Sequence, residues 1–303
     1  MGVISSLGDA PGNPVIDKVT CTVCGLCVTA CPVGVLTRSE EGIRADNSTM
    51  FGCIACGQCM MACPTGSVAV TGRRLSPDDL VDLPPREQRA TVEQLEALLL
   101  ARRSIRHFLP DELPRELLER VVADATMAPM GIPPWEVGVT VFHGRARVRE
   151  LAQDTADGYA GLLRILGNPP GKALFRLVTK KTAWQQFESF ILPLGRAIVE
   201  GRRQGEDLAL YDAPAALLFH VSPYADGADA FIACTYAMVA AEALGLGSCM
   251  IGCVAPVIGR RKELLRKYGL PAGHAPKIVL ILGYPAVAFE KAVRRPFQSV
   301  CWY

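Results

Sequence analysis

Histidine is scarce in this chain, four residues in 303, and none of the four stands at ligand spacing from another. A histidine-built metal centre is therefore not expected. Charge of one sign is also missing. Thirty-two basic and 30 acidic side chains leave a net +2, which argues against nucleic acid or an anionic membrane surface as partner. There is no basic stripe or DNA-reading helix to support a nucleic-acid sensor. The opening MGVISSLGDAPGNP lacks a basic start followed by an apolar run, so no secretory signal is expected. Gly2 and Ser6 match only the loose pattern for N-myristoylation. The longest apolar stretch, AFIACTYAMVAAEALGLGSCMIGCVAPVIG, is broken by Glu242 and then by glycines. It reads as a buried helix ending in a glycine turn, not as a membrane span. Glu242 within it reads as a buried, hydrogen-bonded structural acid.

Cysteine is abundant instead, with twelve residues. Disulfides suit short secreted domains, and neither the length nor the N-terminus fits that class. Thiols kept reduced in the cytoplasm fit better. Eight of the twelve form a repeat: CTVCGLCVTACP from Cys21 and CIACGQCMMACP from Cys53, with a period of 32. Zinc also favours paired cysteines. It gains nothing from a third cysteine two residues further on, repeated, with Cys-Pro closing each run. The spacing is that of bacterial ferredoxins, in which three thiolates of a run hold one four-iron cube and the fourth reaches the other cube. Residues 1–71 thus resemble a bacterial-type two-cluster ferredoxin domain. By that pattern Cys21, Cys24, Cys27 and Cys63 hold one [4Fe–4S] cluster, and Cys53, Cys56, Cys59 and Cys31 hold the other. Cys234, Cys249 and Cys253 lie in apolar sequence and read as small buried hydrophobes.

Residues 72–90 are polar, charged and proline-bearing, and read as a linker. Ser76 caps a possible single turn with Pro77 in its first position. A helix is expected from Thr91, where Thr91 and Gln94 form a capping box and Val92, Leu95, Leu98 and Leu99 share a face. A second is expected from about Pro114, with Leu117, Leu118, Val121, Val122 and Ala125 on one side. EVGVTVFHG alternates as a strand does, and APAALLFHVSP and APKIVLILGYP read as buried strands. Residues 145–210 are helical but poorly patterned. A long apolar helix over 228–244 and a short one near 260–268 complete the picture. Helices with few strands after residue 90 point to an α+β domain over 91–303.

RRSIRHF places Arg102, Arg103, Ser104 and Arg106 at a helix end. Their composition fits two uses: compensating the helix dipole, or binding an anion through guanidinium forks and a hydroxyl. LGLGSCMIG is not a dinucleotide fingerprint, because its last glycine gap is too long and an apolar helix precedes it. The order RRSIRHF, APMGIPPW, EALGLGSCMIG, ILGYP and RRPF resembles the nitroreductase family. That resemblance implies an α+β sandwich and a homodimer with FMN at the subunit interface. It implies that Arg102, Arg103 and Ser104 hold the phosphate and ribityl chain, that Arg106 approaches the pyrimidine edge, and that Arg294 or Arg295 closes the phosphate. Met250 and Ile251 become a wall of the flavin site, and the Gly252 amide faces N5. Read from the sequence alone, Met250 also has a plain-core reading. The family often carries an asparagine and a glutamine before PW; here Pro133 and Pro134 precede Trp135, and main-chain groups near Met130 and Gly131 are left to substitute. The aromatic group Trp184, Phe187 and Phe190 is either a lid or ordinary core.

Clusters and flavin together imply an oxidoreductase that passes electrons from a low-potential donor such as reduced ferredoxin to an organic acceptor: a nitro compound, an activated alkene or a quinone. The alternative is a relay that serves a protein partner. Protein purified anaerobically is expected to carry about eight iron and eight sulfide per chain. Stoichiometric zinc without sulfide, read by elemental and sulfide analysis, excludes the ferredoxin reading.

Overall fold

The computed structural model describes residues 11–131 and 135–303. Gly2, Ser6 and the Pro133–Pro134 pair lie outside the described residues. The N-terminal unit is small and pseudo-symmetric. It contains β1 (Asn13–Ile16), α1 (Leu26–Ala30), β2 (Leu36–Ser39), β3 (Gly42–Ala45), α2 (Gln58–Met61) and β4 (Val68–Thr71). β1 pairs antiparallel with β4, and β2 with β3. Val35, Leu36, Ile43, Met60, Val68 and Val70 pack around the cysteines.

The sequence repeat reappears in the backbone. Val23 and Ala55, 32 residues apart, both sit at φ +54°, and Gly25 and Gly57 sit at +82° and +73°. Positive φ is rare for a non-glycine residue and unusual for β-branched valine. It costs on the order of 1–3 kcal/mol and persists where the surroundings dictate it. Each loop thereby curls around its second cysteine before α1 or α2 begins.

The linker holds one-turn 3₁₀ segments, Pro77–Asp79 and Arg86–Gln88. Ser76 and Asp79 form a capping box on the first. α3 (Val92–Ala101) starts at Thr91, whose Oγ1 accepts from the Gln94 amide at 3.2 Å while Gln94 Oε1 accepts from the Thr91 amide at 2.9 Å. The apolar face of α3 is not buried within the chain: Val92, Leu95, Leu99 and Leu100 are exposed.

The larger unit continues with α4 (Arg115–Ala125), β5 (Val137–His143), α5 (Arg145–Gly167), α6 (Pro169–Val178), α7 (Lys181–Gln186), a π-helical turn (Phe187–Ile191) and α8 (Leu192–Arg203). Then come β6 (Ala215–Val221), α9 (Gly227–Ala243), β7 (Gly247–Ile251), α10 (Ala255–Gly259), α11 (Lys262–Lys267) and β8 (Ala275–Gly283). The sheet order is β5-β6-β8-β7, antiparallel throughout. β6 is buried along its whole length, because both faces of the sheet are covered. Leu217, Phe219, Leu280 and Leu282 face α4 and α9. Leu218, Val279 and Ile281 face α5, α8, α10 and α11. A strand buried on both sides reads as a continuous apolar run, which is what ALLF in β6 is. The result is an α+β sandwich, as the order of elements implied.

Three details differ from the sequence reading. GSCMI, hidden between glycines, is an edge strand. Glu242 is half-buried near the end of α9 and its carboxylate has no hydrogen bond among those described, because the apolar helix turns that position toward its surface. The histidines are not all isolated: His220 and His274 bring their Nδ1 atoms to 2.8 Å, one donating and the other accepting.

Burial, reinforced by His274, depresses the His220 pKa to about 4. The unfolded imidazole titrates near 6.5. The unfolded chain therefore takes up this proton first, and the stability present above about pH 6.5 is lost as the pH falls toward 4. Urea unfolding followed by tryptophan fluorescence is expected to show a loss of roughly 1–3 kcal/mol from this source. His220→Gln is expected to flatten that part of the profile.

Candidate functional site

The thiols fall into two groups. Cys27 feels Cys63 and Cys21, while Cys59 feels Cys53, Cys56 and Cys31. Cys31, Cys53, Cys56 and Cys59 line one small, apolar cavity. Each group thus contains a cysteine from the other run, and no cysteine is in a disulfide. Burial, then the neighbouring thiols, push Cys59 up to about 11; burial likewise raises Cys27 and Cys53. Cys63 goes the other way. Burial opposes it, but the Thr65 hydroxyl at 3.6 Å and the amides of Thr65, Ser67 and Val68 prevail and lower it. Thiols crowded in an apolar cage ionise only when a cation compensates them. Among the described residues no three metal-binding side chains converge on a single ion. A cube carries its irons at separate corners, and ligands placed around a cavity suit it better than they suit one zinc.

The second region is built on β7. Ile105 N–H donates to Ser248 O at 2.9 Å, and Ser104 pairs with Ser248 in a parallel bridge. This holds the Arg102–Arg106 segment alongside β7. Burial raises the Cys249 thiol, against the opposing pull of Arg106, the Ser104 hydroxyl and Arg102. Arg102 Nη1 lies 3.8 Å from Met238 Sδ on α9, and Arg103 Nη1 donates to Arg102 O at 2.6 Å. Arg106 stands over the Tyr211 ring at 5.8 Å.

Arg106, Met250, Ile251 and Gly252 share one open cavity of about 1060 Å³. Its far side is α5, the π-helical turn and α10. A Cβ on Gly252 or Gly161 would meet nothing within 4 Å, so both glycines face open space. A Cβ on Gly158 would collide with Val257; glycine there lets α5 close on α10. Tyr159, its pKa raised to about 12 by burial, remains a donor and gives its hydroxyl proton to Cys253 O at 3.1 Å. The aromatic group divides. Trp184 is buried and stacks on Phe187, while Phe187 and Phe190 line the cavity from the π-helical turn. Such turns recur at functional sites.

Seven expected residues do not line this cavity: Arg102, Arg103 and Ser104 stand beside it along β7, and four lie further off. Met130 and Gly131 lie at the start of α9, where Gly131 N–H donates to buried Asp229 Oδ2 at 3.1 Å. That is nine residues before Met238, about 13 Å along the helix. Arg294 and Arg295 lie in the exposed, irregular tail over 285–303. The sequence reading missed Asp229, Tyr159, Tyr211 and the α10 wall, none of which stands in a motif.

A family model described as the nitroreductase family matches residues 99–284, more than half of the chain. The chain belongs to the nitroreductase family. A 4Fe-4S dicluster domain model matches residues 13–64. A curated relative from Thermus thermophilus, named NADH dehydrogenase, is 28% identical over 216 residues, which are 70% of this chain and 97% of the relative. A nitroreductase with bound FMN from Bacteroides fragilis superposes with a TM-score of 0.51 at 19% identity, over 69% of this chain and 99% of its own. An FMN-dependent nitroreductase from Clostridium difficile gives 0.49 at 18% identity, over 70% and 100%. This member of the nitroreductase family is an oxidoreductase that carries a ferredoxin-type domain in the same chain. No helix among the described residues is long and apolar enough to cross a membrane.

Loss of charge-assisted contacts, each worth about 1.5–3 kcal/mol, is expected to weaken FMN binding in the Arg102→Ala/Ser104→Ala double variant by at least tenfold. Equilibrium dialysis measures it. Wild-type affinity in the variant removes these residues from the cofactor site.

Proposed function

We propose that this protein is a cytoplasmic, homodimeric iron–sulfur flavoprotein that takes electrons from a low-potential one-electron donor of the reduced-ferredoxin kind and delivers them to a small organic acceptor. When bound, two [4Fe–4S] clusters carry single electrons, and FMN joins them into pairs for a nitro group, an activated alkene or a quinone. The observation that carries the reading is the joining, in one chain, of two four-thiol cages with a cavity beside Arg102–Arg106.

The thiol cages suit soft, cationic iron clusters, with Cys21, Cys24, Cys27 and Cys63 on one and Cys31, Cys53, Cys56 and Cys59 on the other. The flavin fits equally well on chemical grounds. A cavity of about 1060 Å³ is at the upper end of what ligand sites use. Arg102, Arg103 and Ser104 supply the forks and hydroxyl a phosphate needs. The Arg106 guanidinium favours negative charge at the pyrimidine edge. Met250 and Ile251 offer an apolar wall, and Gly252 puts no side chain between its backbone and the cavity.

Met130, Gly131, Arg294 and Arg295 join the site when a second subunit supplies them. Uncovered apolar side chains support that dimer: Phe231, Ile232 and Tyr236 on α9, the α3 face, and Phe297 and Trp302 in the tail are all exposed in one chain. An open cavity beside the flavin wall favours a small acceptor over a relay to another protein.

Steady-state turnover with reduced ferredoxin, NADH and NADPH, in wild type and in Cys21→Ala/Cys53→Ala, tests this. Ferredoxin is expected to support the faster rate, and the variant is expected to lose it while its dithionite-reduced flavin is still reoxidised by small acceptors. Full NADH rates in both proteins place the clusters off the catalytic path. A reduced protein that no small acceptor reoxidises is a relay.

A further inference from the structure

Resting on the reading above, we infer that the acceptor is an organic anion: an aromatic or extended apolar body bearing a carboxylate or similar group. The cavity is lined by four arginines, Arg106, Arg164, Arg260 and Arg261, against one acid, Asp157. Arg261 is neutralised by Glu263 at 2.8 Å. Arg106 belongs to the flavin edge. Arg164 and Arg260 remain, and neither guanidinium has an ion pair or hydrogen bond among those described.

Their positions follow from the fold. α5 and α10 touch where Gly158 meets Val257. Arg164 lies six residues beyond Gly158, about 9 Å along α5, and Arg260 follows α10 three residues after Val257. Both side chains line the cavity that Met250–Gly252 also line, and both residues are exposed, so they stand at its rim. Phe187 and Phe190 line the same cavity, and Gly161 leaves its space empty. An aromatic body fits against the phenyl rings, and its anionic end lies toward the rim. Unpaired cations beside an apolar wall raise the local concentration of anions and orient them. A neutral acceptor gains only the apolar part.

The test compares 4-nitrobenzoate with its neutral methyl ester. Dissociation constants are read on the oxidised holoprotein from the change in flavin absorbance, with no turnover required. The acid is expected to bind at least fivefold more tightly than the ester at low ionic strength, and the preference is expected to shrink with added salt. Arg164→Gln/Arg260→Gln is expected to reduce it to within twofold, and Arg164→Lys/Arg260→Lys to retain most of it. Equal affinities in wild type, or a preference that survives the glutamine substitutions in a variant that keeps its flavin, overturn the inference. Failure of the dithionite-reduced protein to reduce either compound overturns the small-acceptor reading instead, since binding is measured separately.

Discussion

Strand β7 is an edge strand, and an edge presents a row of N–H and C=O groups that something must cover. Here part of that row is met by the segment that ends α3: Ile105 N–H reaches Ser248 O, and Ser104 bridges to Ser248. The approach is close enough that a Cβ on Gly247 would sit 2.8 Å from the Ile105 side chain. Glycine is needed there for packing, not for a nucleotide. Once Ile105 is seated against β7, its neighbours Arg102, Ser104 and Arg106 have no freedom to drift. They lie beside the strand whose other end is Met250 and Ile251. The Arg102–Arg106 segment and the strand that ends in Met250 and Ile251 are thus brought together by one backbone pairing between residues more than 140 positions apart.

What the sequence makes legible is chemistry whose geometry is local. Thiols that must wrap a cube within a dozen residues show as spacing, and a capping box shows as Thr91 and Gln94. The apolar runs of β6 and β8 show because both sheet faces are covered. β7 does not show: it is five residues long and flanked by glycines, and its role as an edge depends on β8, which comes later in the chain. The helices over 145–203 read poorly because they bury their faces on one another and on the cavity, so no clean stripe against one core survives. His220 and His274 are 54 residues apart, and only the sheet register joins them.

The candidate site divides along the same line. Arg106 and Met250 through Gly252 line one cavity within one chain, and Ser104 stands beside them through its bridge to Ser248. Met130, Gly131, Arg294 and Arg295 do not, although they stand in equally visible motifs. A motif gives the kind of group a ligand needs but not the subunit that supplies it. The exposed α3 face and the exposed aromatic tail carry the same ambiguity: an apolar helix stripe announces burial without naming what covers it.

The two thiol cages are not alike, and the difference bears on direction. Cys24 is the exposed ligand among the eight, whereas the cage of Cys31, Cys53, Cys56 and Cys59 encloses its own small cavity. The side chain nearest a Cβ built on Gly57, beside Cys56, is Leu75 of the linker that leads to the larger unit. The first group has a thiol at the surface. The second is covered by packed side chains. On the reading proposed above, the repeat therefore does more than double the number of clusters. One copy faces solvent and the other faces the linker, and the fourth cysteine of each run ties the two cages together. On that same reading, the crossing that makes the motif recognisable in the sequence also sets the spacing between a more exposed centre and an enclosed one.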